Sequence, residues 1–141
     1  MTPYQKVYEA FLAKTLEDEW GDWAIEEAEA DMRQLLESAI PYFKFPRVSM
    51  ERDEAGFIAD LASEEIQILA TFMKCEWLNR SILTWENVKP LYEERDFSQA
   101  NLLDKLKSVL EYERLNATKL EGIYYRAVKG KAFNYSRLAG G

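Results

Sequence analysis

The chain has no histidine, one cysteine, four prolines and six glycines in 141 residues. Without imidazole, Ser-His-Asp and Cys-His catalysis and every histidine-bearing metal site are excluded. The Glu-x-x-His pattern of di-iron bundles goes with them. A lone thiol, Cys75, cannot form an internal disulfide, which points to a reducing compartment, and with no histidine beside it it reads as a small buried hydrophobe. The glycines are scattered over turns and the C-terminus, so no glycine-rich loop offers a phosphate cradle. No run approaches the ~20 apolar residues of a membrane span, and the N-terminus lacks a signal-peptide pattern. Positive charge is also scarce. Eighteen Lys and Arg face 25 Asp and Glu, a formal net charge of −7, whereas a general nucleic-acid binder needs a basic face. These absences point away from an enzyme, a metal site or a cofactor. A carboxylate pair working with or without a metal is the residual catalytic reading, and no spacing singles one out.

What the chain has is apolar surface in helical rhythm and many large rings: four Trp, eight Tyr and seven Phe. So many rings suggest surfaces buried against partners as well as a core. Its length suits one domain with one core. Ser63–Leu83 is the most apolar long stretch. Ile66, Leu69, Ala70, Phe72, Met73, Trp77 and Leu78 recur at three- and four-residue steps, predicting a central helix with Ser63 as N-cap and a Glu76–Arg80 pair on its outer face.

The flanks follow the same logic. Thr2-Pro3 reads as an N-cap and first-position pair for a helix ending near Leu16. A second helix is expected from Asp22 to Ala39, with its stripe at Ile25, Ala28, Met32, Leu35, Leu36 and Ala39, stopped by Pro41. Thr84–Asp96 reads as a connector anchored by Trp85 and Tyr92. Beyond Ser98, Leu102, Leu106, Val109, Leu110, Ala117, Leu120, Tyr124 and Val128 predict a final helix of about thirty residues, roughly 45 Å long. That exceeds what one small domain needs, so part of it is expected to meet another chain. Glu113 and Asn116 interrupt its stripe, as where a helix leaves its own core.

Three peripheral features stand out. Glu17–Glu37 holds nine acids against Arg33 alone. The plain reading is a solvated helix face; the sharper one is a surface that repels a polyanion or meets a basic partner. Phe43–Leu61 shifts towards a period of two around Asp53-Glu54-Ala55-Gly56, predicting a small β-hairpin at about residues 43–61 with Gly56 free to take positive φ. From Gly122 onward there are four basic residues and no acid. Gly130 is expected to end the last helix, leaving residues 131–141 as an extended tail whose Phe133, Tyr135, Arg137 and Leu138 suit partner docking. The expected architecture is therefore all-α. It is a single helical domain over residues 1–130, a bundle with a central and a long C-terminal helix, a hairpin insertion and a tail.

The segments PYFKFPRVSM (Pro41–Met50), SEEIQILATFMKCEWLNRSI (Ser63–Ile82), TWENVKPLYEERDFSQANLLDKL (Thr84–Leu106) and EGIYYRA (Glu121–Ala127) resemble the head–tail connector, or neck adaptor, proteins of tailed bacteriophages of Gram-positive hosts. The likeness covers most of Pro41–Ala127 and contains no catalytic motif. It implies a helical virion protein, made in the bacterial host cytoplasm, that forms a homo-oligomeric ring, commonly a dodecamer, below the portal. Double-stranded DNA would pass through without specific binding, with portal protein above, a stopper or tail-completion protein below, and no membrane involved. On that reading Glu26, Glu27, Glu29 and Asp31 face the channel, where acidic walls let phosphate slide. Val48, Met50 and Phe57 of the hairpin, and the tail residues, dock to neighbours. The alternative is an acidic helical binding module that mimics DNA to occupy a basic-grooved host protein.

Overall fold

A computed structural model describes residues 1–15, 21, 23–88 and 96–140; for 88, 96–100 and 127–140 it describes the backbone alone. In chain order the elements are β1 (Thr2–Pro3), α1 (Tyr4–Lys14), α2 (Ile25–Ala39), a 3-10 turn at Ile40–Tyr42, β2 (Gly56–Phe57), α3 (Ser63–Val88) and α4 (Asp96–Gly140). The fold is an all-α bundle with a small β element.

α3 is the hub. At 26 residues it outruns its apolar signal by a turn, and α1, α2 and α4 all pack on it. Ile68, Leu69, Ala70, Met73, Cys75, Trp77, Leu78 and Ile82 are buried in the same core, spread around more than one face. A helix wrapped on several sides needs apolar residues around its circumference. Its start differs from the expected one. The Ile66 N–H donates to the Ala62 carbonyl, so Ala62 is the N-cap and Ser63 the first helical residue. Glu65 reaches back to accept from the Ala62 N–H at 2.7 Å, which is half of a capping box.

α1 buries Tyr4, Val7, Tyr8 and Phe11, and α2 buries Ala28, Met32, Leu35, Leu36 and Ala39. Ile25 departs from the expected stripe, being 76% exposed; it is the first residue after the Ala24 N-cap. Leu16, Asp22 and Tyr92 lie outside the described residues. Trp85 does anchor the last turns of α3, half-buried against the core.

The β element keeps its turn and gains a second partner. The Asp53 N–H donates to the Gly56 carbonyl, and the Ile58 N–H to the Glu51 carbonyl, both at 3.0 Å. Asp53 Oδ1 accepts from the N–H groups of Ala55 and Gly56 at 2.8 and 3.1 Å, the Asx device that favours Asp in turns. The expected small hairpin is there, its two arms joined by the antiparallel bridge Arg52–Phe57. A further strand comes from the N-terminus: Thr2 faces Phe57 and Pro3 faces Gly56, antiparallel. Thr2 is thus no helix cap. Its hydroxyl donates to the Ala59 carbonyl at 3.0 Å and accepts from the Leu61 N–H at 2.8 Å. Gly56 does not adopt positive φ; a Cβ there would lie 2.2 Å from the Thr2 carbonyl oxygen. Glycine is needed for close backbone approach.

α4 runs 45 residues, a contour of about 67 Å. Leu103, Leu106, Leu110, Glu113, Ala117, Leu120 and Tyr124 alternate three- and four-residue steps and are the buried or half-buried positions of its inner face. This seam lies antiparallel on α3, with Glu86 near Lys107, Lys74 near Glu113 and Glu65 near Tyr124. Two expectations change here. Glu113 lies within the seam, 7% exposed, so the interior does not stop there. Helical backbone also continues through Gly130 to Gly140, where a stop and an extended tail were expected. One helical glycine costs only about 1 kcal/mol relative to alanine, and Lys129, Lys131 and Ala132 around it are good helix formers.

Candidate functional site

The first turn of α2 exposes Glu26 and Glu27, whose carboxylates stand beside the free N–H groups of a helix start that has no side-chain cap, a favourable place for negative charge. Glu29 is half-buried and lines, with Glu26, a cleft shared with α1. Asp31 is turned elsewhere. Its two oxygens accept from Arg80 of α3 at 2.6 and 3.0 Å, a bidentate pair that joins α2 to the hub. Arg80 therefore reaches across to α2, where an in-helix pair with Glu76 was expected. The four carboxylates do not form one free acidic face; Asp31 has a structural partner.

The loop between α2 and α3 is tied at both ends. Glu37 accepts from Arg33 Nε at 2.8 Å and from Arg52 Nε at 2.9 Å, and the Arg52 Nη2 also bonds it. The Arg33 guanidinium lies 4.1 Å from the centre of the Tyr4 ring. The Tyr4 hydroxyl in turn donates to the Asp53 carbonyl. Hydrogen bonding from Arg52, then from Arg33, holds the Glu37 carboxyl down to about 2 against the opposing effect of its burial. Because this folded-state value is depressed, the network's contribution is complete above the unfolded carboxylate range near 4.5. It fades as pH falls towards 2. Glu37 is about a third exposed, so solvent screening reduces the contribution to about 1 kcal/mol. Urea melts of wild type and Glu37→Gln should differ by that amount at pH 6 and converge by pH 2; parallel profiles would show that Glu37 is not the titrating group.

Of the residues expected to dock through the hairpin, Val48 and Met50 are half-buried. Phe57 is fully buried in the core, its ring edge-on to Tyr4 at 5.6 Å. It is unavailable to a partner, because its ring is packed inside the core against Tyr4 at the start of α1.

The preceding part of this loop clamps α4. The Tyr124 hydroxyl donates to Glu65 Oε2 and accepts from the Arg47 N–H, each at 2.7 Å. Arg47 lays its guanidinium 4.0 Å from the Tyr124 ring centre and donates to the Tyr124 carbonyl at 3.2 Å. One residue on, the Tyr125 hydroxyl donates to Glu121 and accepts from the Phe45 N–H. Burial, then the bond to Glu65, pushes the Tyr124 phenol up to about 12, so it remains a donor across the physiological range. The clamp fixes α4 against the N-terminus of α3. Sixteen further helical residues follow, about 24 Å of backbone. The expected docking residues Phe133, Tyr135, Arg137 and Leu138 fall there, and their side chains lie outside the described residues. Sequence reasoning missed the clamp. Its signal was the ring pair Tyr124-Tyr125 facing PYFKF, but nothing local joins segments about eighty residues apart.

Cys75 is buried beside a cleft of about 290 Å³ between α3 and α4. Burial first, then the charge of Glu113, pushes its thiol up to about 11, leaving it protonated and a poor nucleophile at neutral pH. Among the described residues no three His, Cys, Asp or Glu side chains gather closely enough to hold a metal ion. Nor is any helix among them long and apolar enough to cross a membrane.

The class this fold defines is a helical hairpin of α3 and α4 carrying two shorter helices and a loop-clamped C-terminal extension. No protein-family pattern, curated protein or solved structure matches the chain.

Proposed function

We propose that the chain is a structural subunit of a bacteriophage neck, a head–tail connector that assembles into a ring below the portal. The observation that carries this reading is α4, whose helical backbone continues sixteen residues past the clamp at Tyr124. Such a length exceeds what the core of one small bundle needs and suits contact with another chain. Tyr112, Leu115 and Ile123 of α4 are exposed outside its seam and supply apolar surface for contacts between identical subunits. Exposed Glu26 and Glu27 suit a wall past which DNA slides. The resemblance of Pro41–Ala127 to neck adaptors supplies the name of the assembly; the residues supply its physical means.

Mass spectrometry of purified particles should find the chain at a fixed ratio to the portal protein, and its absence from them would defeat the proposal. Within particles, the triple reversal Glu26→Lys, Glu27→Lys, Glu29→Lys should leave ring assembly intact and lower DNA retention or ejection about tenfold or more, because basic walls hold phosphate. Asp31 stays out of that variant, since reversing it would set two cations against each other at Arg80. Unchanged infectivity would remove the channel role. The acidic-module alternative predicts the opposite pattern: a soluble monomer that captures one basic host protein and is missing from particles.

A further inference from the structure

A cleft of about 440 Å³ lies between α1 and α2 and is closed at one end by the Asp53–Gly56 turn. Its polar wall carries three carboxylates, Glu26, Glu29 and Glu54, and two phenols, Tyr4 and Tyr8. The cation on the same wall, Arg33, is engaged: its Nε is given to Glu37 and its guanidinium rests on the Tyr4 ring. Tyr8 supplies an independent observation. It is 7% exposed, its ring is stacked on Tyr4, and no described residue hydrogen-bonds its hydroxyl. A buried phenol normally finds a partner. This one lines a cleft of negative charge and has none among the described residues, while the Tyr4 hydroxyl beside it is satisfied by the Asp53 carbonyl.

We propose that this cleft binds an organic cation, the guanidinium or alkylammonium of an arginine-like or lysine-like group. The cation would sit between Glu26, Glu29 and Glu54, with the Tyr8 hydroxyl as an acceptor and the tyrosine rings as a wall. A bare metal ion is the wrong occupant, because the carboxylates are not gathered closely enough to ligate one. A volume of 440 Å³ is in the range of small-ligand sites. Arg33 on Tyr4 already shows, within the chain, a guanidinium on one of these rings, the arrangement that cation–π attraction favours. The source of the cation is either a free small molecule or a basic side chain of a protein segment such as this chain's own residues 122–141.

The test is a titration of the full-length protein, followed by amide chemical shifts, with agmatine, N-acetyl-arginine amide and a synthetic peptide of residues 122–141. The cations should shift Tyr4, Tyr8 and Ala30, and sodium acetate should not. Tyr8→Phe, which keeps the ring and removes the hydroxyl, should weaken binding about fivefold, one hydrogen bond's worth. Glu29→Gln should weaken it at least as much. A peptide binding ten times tighter than the amide identifies a protein side chain as the ligand, and agmatine binding as tightly as the peptide identifies a free cation. No shifts with any cation at 10 millimolar (about the weakest affinity worth a site), equal affinity in both variants, or shifts produced by acetate would overturn the proposal. None of these results depends on whether the chain is found in virions.

Discussion

Gly56→Ala should cost about 3 kcal/mol of folding stability, at the top of the range for inserting a methyl into a packed site. The added Cβ would stand 2.2 Å from the Thr2 carbonyl oxygen and 2.8 Å from the Pro3 Cα. Both are backbone atoms, so no side chain can swing aside, and β1 must leave β2. With it go the Thr2 hydroxyl's bonds to Ala59 and Leu61. A control separates this clash from ordinary glycine effects. Gly122 lies within α4, where a Cβ would have only Arg126 Nη2 near it, at 3.9 Å. Gly122→Ala should therefore stabilise by roughly 0.5–1 kcal/mol, the normal gain of alanine over glycine in a helix. Urea midpoints at unchanged slope would read both. If Gly56→Ala melts with wild type, β1 is not held where the structure places it.

The same corner shows where sequence reading stops. The turn at Asp53–Gly56 is legible because Asp and Gly carry local turn chemistry. The strand that pairs with it is two residues long and 54 positions away, and two residues hold no alternation to read. Central α3 and the α2 core positions Ala28, Met32, Leu35, Leu36 and Ala39 are legible because burial on a helix face imposes a 3.6-residue period. The exceptions have local causes. Ile25 obeys the period at a helix end where burial fails, and Ser63 is a good capping type one residue past the cap. In α4 the expected stripe began at Leu102, yet Leu103 is the buried neighbour and Leu102 is exposed; adjacent leucines leave the phase undetermined. Candidate-site carboxylates fared as charges do. Glu26 and Glu27 are on the surface, as composition suggests, but Asp31 is committed to Arg80 by a contact that no spacing encodes.

Glu113 is the position where charge misleads most, and it carries the second large effect. It occupies the seam of α4 where the three–four alternation calls for an apolar residue, 7% exposed, and accepts from Lys74 Nζ at 3.0 Å. Replacing Lys74 by Met would leave a carboxylate uncompensated between two helices, and should cost about 3–5 kcal/mol. Glu113→Leu should cost less, about 1–2 kcal/mol, because the lysine stem lets its ammonium reach towards water. The pair Lys74→Met with Glu113→Leu should return to within about 1 kcal/mol of wild type or exceed it, since desolvating two charges offsets most of their attraction. A double-mutant cycle by urea denaturation measures that coupling. Additive losses would show that the two side chains do not interact. The Cys75 thiol gives an independent readout: its titration point, held at about 11 mainly by burial and next by Glu113, should fall in Glu113→Leu. A charged pair that adds little stability has another use in a two-helix seam. Sliding α4 by seven residues would keep leucines facing α3 while parting Glu113 from Lys74, so the pair penalises the wrong register. That register sets Tyr124 against Glu65, and through the clamp it decides where the extension of α4 leaves the body.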